Sequence, residues 1–153
     1  MQVHRLYVKI AAPMPAQSPV PPEFVWTEAL VRRLLIAALR LAAETGNLPL
    51  VSPWLPARWG TRYATLAEVG HLKRVAGIIA TLSEGAPDRT AVEIFLRRNA
   101  SRWCPKQTMR ALRWSRDSYL VALNGGLLKI ADTLTEQRVP IAVVAEIERA
   151  HAH

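Results

Sequence analysis

Between Ile94 and Arg116 the chain has no Asp or Glu, and those 23 residues carry seven cations: Arg97, Arg98, Arg102, Lys106, Arg110, Arg113 and Arg116. The chemistry such side chains offer is recognition rather than bond-making. Guanidinium and ammonium groups donate charge-assisted hydrogen bonds to phosphate oxygens, and arginine does so bidentately. The whole chain has 20 Lys and Arg against 12 Asp and Glu, a net of +8, so only +1 remains for the rest once the seven are set aside. Positive charge gathered in one place suits a polyanion, because each phosphate neutralised releases condensed counterions. The competing reading is a solvated basic face that keeps the protein dispersed.

Residue types that make or break bonds are sparse. The chain contains no GxSxG, HExxH, P-loop or dinucleotide fingerprint. Its one Cys, Cys104, excludes an internal disulfide framework and a Cys cluster for zinc. Cys104 stands among arginines, a setting in which an exposed Cys would be reactive, but no His is close in sequence, and burial is the commoner fate of a free Cys. His71 reads as a surface or boundary residue, and His151 and His153 fall in a terminal segment expected to fray. The acids Glu23, Glu28, Glu44, Glu68, Glu84, Asp88 and Glu93 fall mostly at expected helix ends and turns, where they complement helix dipoles. The expectation is a non-enzymatic protein with no metal and no cofactor.

The basic residues must be placed by helices. Pro105 suits a helix start, so a short helix is expected from Pro105 to about Leu112. Ser115 is a good N-cap for a second, from Arg116 to about Leu123, ended by Asn124, Gly125 and Gly126. The run Leu112-Arg113-Trp114-Ser115-Arg116-Asp117-Ser118-Tyr119, followed by Ala122-Leu123, resembles the helix-turn-helix superfamily of DNA-binding domains. The resemblance covers about 30 of the 153 residues. It departs from the family at Arg113, where glycine is usual, and at Met109, where a small residue is usual. What it implies is a second helix lying in the major groove. Arg116, Asp117 and Ser118 would then meet base edges, while Lys106, Gln107 and Arg110 would position the domain on phosphates. Arg97, Arg98, Arg102 and Arg113 complete the expected nucleic-acid-binding set.

The rest of the chain supplies a mainly α fold: a compact multi-helix bundle with a C-terminal helix-turn-helix-like unit and one short N-terminal strand. Alternation of Leu6, Val8 and Ile10 with Arg5, Tyr7 and Lys9 predicts a strand in residues 1–10, which must pair with something. Residues 11–23, with Pro13, Pro15, Pro19, Pro21 and Pro22, read as an extended connector. Residues 27–83 form the helical core. Its first helix starts at Thr27, ends near Thr45 and Gly46, and is the central helix, with Arg32, Arg33 and Arg40 on its exposed edge. Helical periodicity then lapses from Asn47 to Tyr63, where Trp54, Trp59 and Tyr63 sit among Arg58 and Arg62. These aromatics are either stacking platforms for unpaired bases or apolar anchors pinning the loop, and the anchor is the commoner role.

Thr65 and Glu68 make a capping box before an apolar face of Leu66, Val69, Leu72, Val75, Ala76 and Ile79. Ser83 to Pro87 is a turn, and Thr90 with Glu93 reads as a second capping box, before a helix bearing Val92, Ile94, Phe95 and Trp103. Residues 88–126 are the basic helix-turn-helix-like region of one domain, 1–153. Residues 127–153 hold the C-terminal helices. Leu127 to Gln137 fits a helix or the first strand of a wing, and a last helix follows Pro140.

Half the residues are hydrophobic, enough at this length to bury roughly two-thirds of the unfolded surface. The longest apolar run, Leu34 to Leu39, falls well short of the about 20 residues a bilayer needs. A soluble, cytoplasmic protein with no membrane partner is expected. Its partner would be nucleic acid, DNA ahead of RNA. The first alternative is a helical subunit of a larger nucleoprotein complex that grips without sequence readout. Small subunits of RNA-guided defence complexes resemble this outline, with no shared residue motif. The second is an interaction module for an acidic protein, and the N-terminal strand could add to a partner or build a homodimer.

Overall fold

A computed structural model describes residues 19–152. The expected strand at 1–10 and most of the proline-rich connector lie outside those residues. Among the described residues the fold has seven α-helices and no strand: α1 (Glu28–Glu44), α2 (Leu48–Val51), α3 (Leu66–Ile79), α4 (Pro87–Ala100), α5 (Lys106–Leu112), α6 (Arg116–Glu136) and α7 (Ala142–Ala152). None of them is long and apolar enough to cross a membrane.

Helix α1 is the central element, as its wide stripe predicts. Thr27 caps it, its side chain accepting from the Leu30 amide at 3.3 Å. Gly46 ends it with φ 71°, the left-handed closure that favours glycine. Val31, Leu34, Leu35, Ala37, Ala38, Leu39, Leu41 and Ala42 are all buried, so two faces of the helix are covered. The short alanines let neighbours close in, and α1 packs against α2, α3, α4, α6 and α7.

The segment before α1 is stapled to the α6–α7 corner. The Trp26 indole donates to the Val139 carbonyl at 2.7 Å. Its amide donates to Thr135 Oγ1 at 3.0 Å, and Ile141 N donates to the Glu23 carbonyl at 2.9 Å. Helix α7 then runs alongside α1, with Arg33 and Glu148 paired at 2.6 Å.

Helix α3 begins with the expected capping box: Thr65 Oγ1 accepts from Glu68 N, and a Glu68 oxygen accepts from Thr65 N. Leu66 departs from the expected apolar face. It stands in the first turn, outside the reach of the core, and is exposed. Thr90 and Glu93 form no capping box. Pro87, fixed at a helical φ, starts α4 earlier with Ala86 as N-cap. Glu93 instead accepts from Arg89 Nε at 2.9 Å.

The largest departure is α6. Asn124, Gly125 and Gly126 do not end it; it runs 21 residues, from Arg116 to Glu136. Leu127 to Glu136 is therefore helix rather than wing strand, and the expected boundary at residue 126 falls inside one rod. The reason is packing. Helix α6 lies antiparallel to α4, and a Cβ on Gly126 would sit 2.9 Å from Val92 Cγ2 and 3.0 Å from the Asp88 carbonyl oxygen. Glycine here is what lets two helices touch, and Lys129 pairs with Asp88 at 2.6 Å across the same crossing. A Cβ on Gly125 would meet nothing within 4 Å. Gly125→Ala is therefore expected to stabilise the fold by roughly 0.5–1 kcal/mol, through helix propensity alone. Gly126→Ala is expected to destabilise it by about 1 kcal/mol, as overpacking outweighs that gain. Chemical denaturation of the two variants side by side measures both signs.

Candidate nucleic-acid interface

The basic residues are carried by the C-terminal end of α4, by α5, by the turn after it and by the first turn of α6. Helices α5 and α6 are joined by a tight turn. Arg113 has φ 58° and is left-handed. Its amide donates to the Arg110 carbonyl at 3.0 Å and the Trp114 amide to the Met109 carbonyl at 2.9 Å. That double closure is the Schellman arrangement, made here with arginine where glycine would carry no Cβ penalty. Ser115 then caps α6, its Oγ accepting from the Ser118 amide at 3.1 Å. The expected helix, turn and helix-start fall where the sequence placed them, with Pro105 as N-cap rather than first helical residue.

Helix α5 buries none of its residues. It is moored by partly buried Met109 at its middle, with Trp103 before it and Trp114 after it also partly buried. The Arg97 guanidinium lies 4.5 Å from the Trp103 ring centroid, a cation–π contact that fixes one cation over the mooring.

All seven cations are exposed, as are Gln107, Asp117 and Ser118. No ion pair among the described residues involves any of the seven. The pairs lie elsewhere: Arg32–Glu28, Arg33–Glu148, Arg62–Glu44, Arg62–Glu68, Arg89–Glu93 and Lys129–Asp88. The Ser118 hydroxyl lies 3.0 Å from Ser115 Oγ, so part of its hydrogen-bonding capacity is used at the cap. Tyr119, in the first turn of α6, is buried. Burial pushes its phenol above the ordinary range, while Arg98 of α4 and Arg32 of α1 pull it back.

Two expectations about single residues are overturned. Cys104 is exposed, because it lies in the extended link between α4 and α5. Trp54, Trp59 and Tyr63 are exposed rather than anchoring their loop. The apolar anchors of this segment are instead Leu48 and Val51, in the short helix α2 that interrupts the expected loop, and Leu55; polar contacts hold the remainder. Thr61 N donates to the Glu44 carbonyl at 2.7 Å. The Arg62 guanidinium donates to both Glu68 oxygens, at 2.8 and 2.6 Å, and to Glu44 Oε1 at 3.3 Å. Sequence reasoning missed this clamp because Glu68 is fully accounted for by its capping box. His71 is half-buried, 4.0 Å from Glu146. No group of three or more His, Cys, Asp or Glu side chains converges among the described residues.

No protein-family model matches this chain, and neither a curated protein nor a solved structure does.

Proposed function

We propose that the chain is a non-enzymatic nucleic-acid-binding protein that grips phosphates through the surface running from Arg97 to Arg116. Duplex DNA is the leading ligand, with the exposed first turn of α6 presenting Arg116, Asp117 and Ser118 toward the major groove. The observation that carries the reading is the charge arrangement. Seven exposed cations share no ion pair among the described residues, while Glu28, Glu44, Glu68, Asp88, Glu93 and Glu148 pair with cations outside the cluster. A solvated face kept for solubility needs no such segregation.

The test is duplex affinity across a salt series. With all seven cations on phosphates, log K is expected to fall with log salt at a slope of about −6. Changing Arg110, Arg113 and Arg116 to alanine removes three of them and should flatten the slope to about −4. A slope near zero, or no binding at low salt, would sink the proposal. A second reading, a nucleoprotein subunit that grips without reading sequence, is favoured by the exposed Trp54, Trp59 and Tyr63. Equal affinity for unrelated duplexes and for single strands would select it.

A further inference from the structure

Trp59 is 101% exposed, Tyr63 95% and Trp54 63%. Trp59 and Tyr63 rim an open depression of about 550 Å³, whose floor includes Gly46, Asn47, Gly60 and Thr61. Large aromatics this far into water lose the burial that usually places them, so their position needs another reason. The backbone beneath them is fixed. A Cβ on Gly60 would run into the backbone of Glu44 and Gly46, so the loop lies flat on the end of α1. Arg62 holds the loop to Glu44, to Glu68 and to the Ala150 carbonyl. The rings are thus carried on a braced frame.

The depression is at the same end of the bundle as the basic surface. Arg40 and Ala43 of α1 line a neighbouring hollow with Asn99 and Ala100 of α4. Ala43 lies in the last turn of α1, three residues before Gly46 of the depression. A strand held at the end of α4 and running past Arg40 would lead toward this depression. Arg62 is committed to carboxylates, but exposed Arg58 and Arg40 take part in no ion pair among the described residues. Aromatic faces interleaved with exposed Arg58 and Arg40, over a lining of mixed polar and apolar surface, suit bases joined by phosphates.

We propose that Trp59 and Tyr63 form a stacking platform for unpaired bases of the nucleic acid gripped by the basic surface. This rests on the function proposed above in its second reading, a grip that takes single strands as well as duplex. Every base presents a π-face, so the platform is tolerant of sequence and selective for strands whose bases are unstacked.

The full chain is titrated with a fluorescent oligothymidylate, with an abasic strand of the same length and with a blunt duplex. Trp59→Ala is expected to weaken oligothymidylate binding by about 10-fold or more, with Trp59→Phe retaining most of the affinity. Duplex affinity should be unchanged, and wild type should bind the abasic strand as weakly as Trp59→Ala binds oligothymidylate. Trp59 is fully exposed, so its replacement leaves the core intact. Unchanged oligothymidylate binding by Trp59→Ala, or equal wild-type affinity for intact and abasic strands, overturns the platform alone. A Trp59-dependent dimer with unaltered oligonucleotide affinity assigns the rim to a second copy instead. No binding of any probe at low salt removes both this site and the proposed function.

Discussion

Trp26→Ala is expected to cost the fold about 4 kcal/mol, the range for emptying a large aromatic site in a core. Trp26 is buried and does two jobs at once. Its ring fills the gap between the start of α1 and the α6–α7 corner, and its two N–H groups satisfy Val139 O and Thr135 Oγ1. Truncation leaves a cavity and an orphaned carbonyl. Trp26→Phe keeps most of the volume and loses only the indole donor, so it should cost about 1–2 kcal/mol. For a domain whose whole stability is of order 10 kcal/mol, the alanine variant should show a visibly lower denaturant midpoint with an unchanged slope. Equal losses in the two variants would mean the hydrogen bond, not the packing, dominates.

Glu68→Ala should cost about 3 kcal/mol at neutral pH, and that cost should shrink on acidification. The carboxylate accepts two hydrogen bonds from Arg62 and one from Thr65 N, which together bring its pKa from 4.5 down to about 2 against the opposing effect of burial. A depressed folded-state pKa means stability that is fully present above the unfolded value. It is lost as pH falls from about 4.5 toward 2. About 2 kcal/mol of the total is this charge effect, after allowing for water around the partly exposed Arg62, and about 1 kcal/mol is the helix cap. Glu68→Gln keeps an acceptor for Thr65 N and removes the charge. It should therefore match wild type near pH 2 and fall behind as pH rises. Denaturation from pH 2 to 7 measures this, and a pH-independent gap would refute the charge argument.

What could be read in the residues was local chemistry. Thr27, Thr65 and Ser115 each cap a helix because a hydroxyl within three residues of an amide needs nothing from the rest of the chain. The tight turn at Arg113 follows from Leu112 and Ser115 in the same way. What escaped depended on partners distant in sequence. Gly125-Gly126 looks like a stop until α4 is beside it, when Gly126 becomes the contact point and the helix continues. Pro87 outcompetes the pattern Thr90-x-x-Glu93 because Arg89 claims Glu93. The basic cluster is plain from charge alone, but its lack of counter-ions is not. Arg33 finds its acid 115 residues away, at Glu148. The outward tryptophans are the hardest case: composition favours burying them, and the loop stays put without them through buried Leu55, the Thr61 amide on the Glu44 carbonyl and the clamp at Arg62.

Helix α6 also sets a distance. At 1.5 Å per residue its 21 residues make a rod of roughly 30 Å, and the features at its two ends are different in kind. The arginine-rich turn is at one end; at the other, Thr135 and the Val139 carbonyl just beyond the helix hold Trp26, where the chain enters the bundle. Whatever joins the protein through residues ahead of Trp26 enters at the far end of a stiff spacer from the basic turn. Its length is close to one turn of duplex DNA, roughly 34 Å. The Trp26 anchorage and the basic turn are thereby held apart at a fixed span, and the molecule has the proportions of a short ruler.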